Sequence, residues 1–317
     1  MTLPMGRAMR EVFGETVTAL ADTDPRVVML DADLGTSTRA EIFARAHPER
    51  FLEMGIAEQN MLGVAAGLAS AGMMPFISTF VAFAVVRPLD QIRVLIAQPH
   101  LNVKITGGYA GLFVGAAGKT HQVVDDIAIM RAMPGMATVS PADDVETGQV
   151  IRWAASYDGP VYIRLVRDAT QRLFDDAYVF DPARALVVRE GADVTLISTG
   201  SQTPRVVDAA ALLAAAGIDA HVLHVPTLKP LDVAAIVAAA ERTDLVVTVE
   251  EHSVIGGLGG AVAETLGEHR PTRVTRLGLQ DTFGESASNA DLLDRFGLSA
   301  ERVAEQVTAI LARAPHR

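Results

Sequence analysis

Short β-branched runs alternate with Ala-rich segments of helical period from one end of the chain to the other, and few folds accept that pattern. The runs are VVMLDAD, MPFISTF, LNVKIT, MATVSPA and PVYIRLV, with segments such as ETGQVIRWAAS between them. A continuous apolar strand needs cover on both faces, and helices between successive strands supply it. The pattern therefore predicts an α/β protein built from two doubly wound domains with mainly parallel sheets. After RLVRD the texture turns polar and irregular, in ATQRLFDDAYVFDPARALVVREGAD, which reads as a linker. A second series follows: VTLISTG, a helix from about Pro204 to Ala216, IDAHVLHV, a helix from about Pro230 to Ala240, LVVTVEE and TRVTRLGL. The expected domains are residues 1–180 and 190–317, a division that the length of 317 residues allows.

Charge and residue usage narrow the function. A net charge of −11 with no Lys/Arg cluster argues against nucleic acid or an anionic membrane as partner, since both demand a basic footprint. The absence of cysteine removes disulfides and thiolate chemistry. No apolar run is long enough to span a bilayer, and the opening residues, with Arg7, Arg10 and Glu11, lack a signal-peptide core; the cytoplasm is the expected location. The histidines have no H-x-x-x-H spacing, so no metal site is expected on this chain, and no G-x-S-x-G elbow suggests a serine hydrolase.

Individual residues stand out against this background. Glu58 lies in FLEMGIAEQNM, and no side-chain base follows it through LGVAAGLASAGMMPF, so its compensation is expected from elsewhere in the fold or from a ligand. The stretch Asp31-Ala32-Asp33-Leu34 ends a strand, where open α/β sheets bind ligands and where an Asp also caps turns. Phe80 and Phe83 would share a helix face, either as core or as a slot for a flat heteroaromatic ring. His121 closes the glycine-rich loop GGYAGLFVGAAGKTHQ. Arg167, with Arg10 and Ser37 upstream, could converge on a phosphate or be solvated charge. The run GGLGG at 256–260 follows a strand, yet Val262 stands where the dinucleotide fingerprint needs its third glycine and the next strand ends without an acid. It reads as a structural turn.

In this order, DADL, MGIAEQNM, PFISTF with a second Phe three residues on, the loop closing in THQ, SPAD and YIRL-x-R resemble the thiamine diphosphate enzymes of the transketolase family. The likeness is greatest to the separate C-terminal subunit of two-chain bacterial and archaeal transketolases. It covers nearly the whole chain, with a pyrimidine-binding domain up to about residue 180 and the C-terminal domain carrying STGSQ, EEHSVIGGLGG and FGESASNADLLDRFGL.

The resemblance implies a two-carbon ketol (glycolaldehyde) transfer between sugar phosphates or related anionic sugars, and it implies roles. Glu58 would be catalytic, bonding a nitrogen of the cofactor's aminopyrimidine. Phe80 and Phe83 would contact that ring, and Asp33 and Leu34 would line the cofactor. His121 would touch the donor's hydroxyl or the reaction intermediate. Arg10, Ser37 and Arg167 would bind the distal phosphate, with Tyr109 in the substrate site where the family usually has a histidine. The family's GDG motif, which holds the diphosphate and Mg²⁺, is missing here. A partner chain carrying the diphosphate-binding domain is therefore implied, in an α2β2 assembly. Ala116 and Ala117 replace the family's Glu-Asp pair and Val86 replaces a tyrosine, which suggests an unusual ketose, branched or sulfonated. The alternatives are the β subunit of a 2-oxoacid dehydrogenase, a synthase of deoxyxylulose phosphate type, and a non-catalytic scaffold subunit.

Overall fold

The computed structural model describes residues 3–313. The strands are β1 (Met5–Ala8), β2 (Val27–Asp31), β3 (Phe51–Glu53), β4 (Met74–Phe80), β5 (Lys104–Gly108), β6 (Ala137–Val139), β7 (Val161–Arg164) and β8 (Ala169–Gln171). They are followed by β9 (Leu186–Arg189), β10 (Val194–Ser198), β11 (Ala220–His224), β12 (Thr227–Lys229), β13 (Leu245–Ser253) and β14 (Arg273–Leu279). One sheet of seven runs β12-β6-β7-β5-β4-β2-β3 and a second of five runs β14-β13-β10-β11-β9. Both are parallel except at one edge, where β12 pairs antiparallel with β6 and β9 antiparallel with β11. The α/β architecture with mainly parallel sheets agrees with the sequence pattern.

Alternation along β2 explains why the first sheet is covered twice. Val27 and Met29 join a core that includes Phe13 and Val17 of the helix Met9–Thr23 and Val150 and Ile151 of the helix Asp144–Ser156. Val28 and Leu30 point the other way, into a core with Met61, Leu62 and Ala65 of the helix Glu58–Ser70. Side chains two apart share a face, so a strand buried throughout feeds both layers.

The stretch 169–193 is more than a linker. It contributes β8, which pairs with β1, and β9, the edge of the second sheet. Its polarity misled because edge strands are short and only partly buried, as β9 is. The first sheet also takes its last strand, β12, from beyond residue 225.

A buried polar cluster joins the two sheets. Arg164, ending β7, donates to the Asp126 carboxylate at 2.8 Å and to the Glu251 carbonyl at 3.0 Å, while the Tyr162 hydroxyl donates to Asp126 at 2.6 Å. Glu251 accepts from Arg205 and from the Leu112 amide, both at 2.7 Å. The GGLGG turn is structural, as expected. The Glu250 carboxylate accepts from the Leu258 and Gly259 amides at 2.7 and 2.8 Å, so the protein itself fills the helix N-terminus where a dinucleotide would place its pyrophosphate. Burial pushes the Glu250 carboxyl up to about 7, against the pull of these amides.

Candidate active site

The carboxyl edge of the seven-stranded sheet gathers most of the residues singled out in the sequence. Asp33, Leu34 and Ser37 follow β2, Phe80 ends β4, Tyr109 follows β5, and Arg167 lies just past β7. Arg10 reaches in from the first turn of the helix Met9–Thr23. Open parallel sheets bind ligands at this edge because successive loops there diverge and leave a crevice.

Aromatic rings form one wall. Register places Phe80 opposite Gly108, so Tyr109, the next residue, stacks on Phe80 with centroids 3.7 Å apart and planes 20° from parallel. Phe83 stacks on Phe80 at 6.0 Å, although the two do not share a helix: Phe80 belongs to a strand and Phe83 to the π-helical segment Ala82–Val86. The strand-to-helix bend, rather than helical spacing, brings the rings together. His121 meets them edge-on, 5.5 Å from Phe83 and 6.2 Å from Phe80.

The Tyr109 hydroxyl ties the aromatic wall to the arginines. It accepts from Arg10 Nη1 and Arg167 Nε, each at 3.1 Å, and donates to the Ser37 carbonyl at 3.0 Å. Arg10 Nη1 donates to that same carbonyl at 3.0 Å. Arg10, Ser37, Tyr109 and Arg167 are thus in one cluster, with Ser37 engaged through its backbone. Tyr109 holds φ at +60°, a conformation that costs a non-glycine residue energy and persists where surrounding contacts fix it.

Ser37, Phe80, Tyr109 and Arg167 line a cleft of about 560 Å³, together with His121, Ala116 and Ala117, while Arg10 reaches it only through the Tyr109 hydroxyl and the Ser37 carbonyl. Its far wall comes from the second half of the chain. Asn289 donates to Asp168 at 3.1 Å and accepts from the Gly115 amide at 3.0 Å, while Asp168 accepts from Arg167 at 2.7 Å. Gly115 has no room for a side chain, because a Cβ there would meet the Ala287 carbonyl at 2.4 Å.

Asp33 and Leu34 stand to one side. Asp33 is exposed, its amide donating to Glu53 at 2.9 Å, and with Leu34 it lines an adjoining hollow of about 270 Å³ that shares Ser37 with the main cleft. Leu34 still packs against the Phe80, Tyr109 and Val114 cluster. Glu58 lies outside the lining of the main cleft, at the first position of the helix Glu58–Ser70. The expectation that a ligand or a distant element compensates it is answered within the chain. Arg87 Nη1 donates to both carboxylate oxygens, at 2.8 and 2.7 Å, and the guanidinium lies over the Phe83 ring at 4.6 Å.

Arg87, Asp168 and Asn289 were not foreseen. Arg87 is the first base after Glu58 in the sequence, and Asp168 directly follows Arg167; those were the available signals. Asn289 had none, because a contact across such a span of chain leaves no local trace. Among the described residues no group of three or more His, Asp or Glu could hold a metal ion, and no helix is long and apolar enough to cross a membrane.

Below the edge, Asp31 is fully buried at the end of β2 and accepts from the Leu34 amide at 2.7 Å and the Thr38 hydroxyl at 3.3 Å. Burial pushes its carboxyl up to about 6, outweighing the Leu34 N–H. A carboxyl with a raised folded value holds its proton more tightly in the fold, so its stabilising contribution is present below pH ~4 and is lost as pH rises through ~6. Asp31→Asn keeps an acceptor for Leu34 and removes the titration. Its stability relative to the wild type is expected to climb by on the order of 3 kcal/mol between pH 4 and 7. Denaturant melts across that range check this, and a pH-independent difference would contradict the burial argument.

Two α/β units with an aromatic and arginine-lined cleft at a sheet's carboxyl edge define an α/β enzyme subunit with a composite ligand site. A family model for the transketolase pyrimidine-binding domain matches residues 5–172, and one for the transketolase C-terminal domain matches residues 183–303. The chain belongs to the transketolase family, whose members depend on thiamine diphosphate. It is 42% identical over 304 residues, 95% of each chain, to a protein of Methanocaldococcus jannaschii named for a transketolase C-terminal section. It is 41% identical over 303 residues to a 6-deoxy-6-sulfo-D-fructose transketolase subunit of a Clostridium species, covering 95% of this chain and 94% of that one. A solved structure described as a split-gene transketolase, inactive β4 tetramer, superposes with a TM-score of 0.88 at 45% identity, covering 97% of this chain and 99% of that one.

Proposed function

We propose that this chain is the C-terminal subunit of a two-chain transketolase, transferring a two-carbon ketol unit between anionic sugars only when joined to an N-terminal partner. The observation that carries this reading is the pairing, at one sheet edge, of a stacked aromatic wall beside a buried carboxylate with a cluster of two arginines. The residues present fit the pyrimidine end of thiamine diphosphate: Phe80 and Phe83 offer a flat apolar surface and Glu58 a buried proton-sharing group. When bound, the cofactor supplies the carbon nucleophile and electron sink that these side chains lack.

The chain's own residues would bind, orient and move protons. Glu58 would hold a proton at a carboxylate oxygen against a ring nitrogen. Phe80 and Phe83 would fix the ring's plane and exclude water, with Leu34 behind them and Asp33 at the rim. His121, edge-on to both rings, would donate to a donor-sugar oxygen. Arg10 and Arg167 would hold a terminal anion, with Tyr109 and the Ser37 carbonyl setting their spacing; planar guanidiniums suit a phosphate or a sulfonate. Ala116 and Ala117 themselves offer no side-chain polar contact to an acceptor hydroxyl. This favours a branched or sulfonated ketose, in keeping with the sulfosugar relative. The diphosphate and Mg²⁺ would be held by the partner, in a cytoplasmic α2β2 assembly, with residues 1–180 and 190–317 as the two domains. A 2-oxoacid dehydrogenase β subunit is the less supported reading, since the relatives compared carry transketolase names.

Calorimetry tests the split. The purified chain is expected to show no micromolar binding of thiamine diphosphate and no turnover, and both are expected on mixing with a GDG-bearing partner. Tight cofactor binding by the chain alone would sink the proposal.

A further inference from the structure

We propose that Arg87 is a built-in cap on the cofactor seat. In the cofactor-free chain its guanidinium takes the Glu58 oxygens and the face of Phe83, and it must swing out before a ring can enter. This rests on the reading of Glu58 and Phe83 as cofactor contacts, and adds to it a state in which the seat is filled by the protein.

Three observations point this way. The first is mutual exclusion: Arg87 Nη1 bonds both Glu58 oxygens, at 2.8 and 2.7 Å, and the same guanidinium covers Phe83 at 4.6 Å. A guanidinium is flat, stacks on aromatic faces and presents in-plane N–H donors, so it meets the same surface a flat nitrogen ring would use. The second is asymmetry of burial. The Glu58 side chain is 1% exposed and that of Arg87 43%, so the arginine lies on the solvent side of the pair and covers the carboxylate. Its long side chain can leave into solvent, whereas Glu58 cannot move without breaking into the core.

The third is the backbone. Arg87 directly follows the π-helical segment Ala82–Val86, and a second such segment, Ile92–Ala97, follows soon after. π-helical turns are rare, cost hydrogen-bond geometry and concentrate at functional sites, so two of them flanking one arginine mark a segment shaped for placement of that side chain. The Arg87 carbonyl is held by Gln59 at 3.3 Å, which anchors the main chain while leaving the side chain free to pivot.

Removing Arg87 raises the energy of the cofactor-free state in two ways. It deletes the cap's favourable contacts, and it leaves a buried Glu58 charge without a counter-ion. Neither loss touches a state in which the ring has displaced the arginine. If the capped form dominates, the apparent affinity of the seat is reduced by the small open fraction, and losing the cap restores it.

The test uses the complex with its partner subunit and reads thiamine diphosphate affinity by calorimetry, alongside melting of the chain alone. Arg87→Met is expected to tighten cofactor binding by about tenfold or more, while Arg87→Lys, which keeps the charge, stays within about threefold of wild type. In the isolated chain Arg87→Met is expected to lower the melting temperature, and adding Glu58→Gln to restore most of it. Unchanged or weaker cofactor affinity in the Arg87→Met complex overturns the cap. Glu58→Gln added to the Arg87→Met complex, where no cap is left to lose, separates this from the underlying reading: cofactor affinity equal to that of Arg87→Met alone removes Glu58 from the cofactor site altogether.

Discussion

Glu58→Ala is expected to abolish turnover of the assembled enzyme, lowering kcat by about a thousandfold or more, with the chain still folded. A positioned proton donor or acceptor contributes on the order of 100- to 10,000-fold, and Glu58 is shut from water and joined through Arg87 to the Phe83 face of the aromatic wall. Folding should survive because the group left behind, Arg87, is 43% exposed and can hydrate, in contrast to the cost of stranding a charge inside. Circular dichroism and a melt would confirm the fold, and steady-state kinetics with the partner would give the rate. Unaltered turnover would leave the chain as a scaffold, the reading the resemblance ranks lower.

Arg164→Met is expected to have the largest effect on stability. It strands the Asp126 carboxylate, fully buried, with the Tyr162 hydroxyl as its remaining hydrogen-bond donor among the described residues, and frees the Glu251 carbonyl. The Arg164 guanidinium holds the Asp126 carboxyl below its usual range despite burial. Breaking one side of such a pair costs about 3–5 kcal/mol, because the remaining charge has no water to return to. The loss should appear in denaturant midpoints at neutral pH. It should shrink in the double variant Arg164→Met, Asp126→Asn, since the neutral amide removes the stranded charge. A small loss in the single variant, or no recovery in the double, would show that water reaches this cluster.

The central strands were legible in the sequence because parallel strands covered twice are written as unbroken apolar runs, as in VVMLD and MPFISTF. The edges were not. β1, β8, β9 and β12 are three or four residues long and lean on partners far away in the chain, so nothing in their own composition announces them. The site divided the same way. Arg10, Ser37, Tyr109 and Arg167 could be gathered from the resemblance, and the structure joins them through one hydroxyl. The ion pair between Glu58 and Arg87 was missed because the intervening strand β4 and a π-helical turn carry the arginine back over the carboxylate, a path that no fixed residue spacing encodes. The stacking of Phe80 and Phe83 was anticipated by a rule for helices and is achieved by a bend.

The outermost strand of the first sheet is supplied by residues 227–229, which lie well past the last central strand of that sheet. During synthesis the ribosome must therefore deliver much of the second unit before the first can close its edge. Until then β6 presents an open row of backbone donors and acceptors, a surface that attracts other nascent strands. Slow passage through this interval would be the chain's period of greatest exposure to misassembly, and assistance by a chaperone would matter most there.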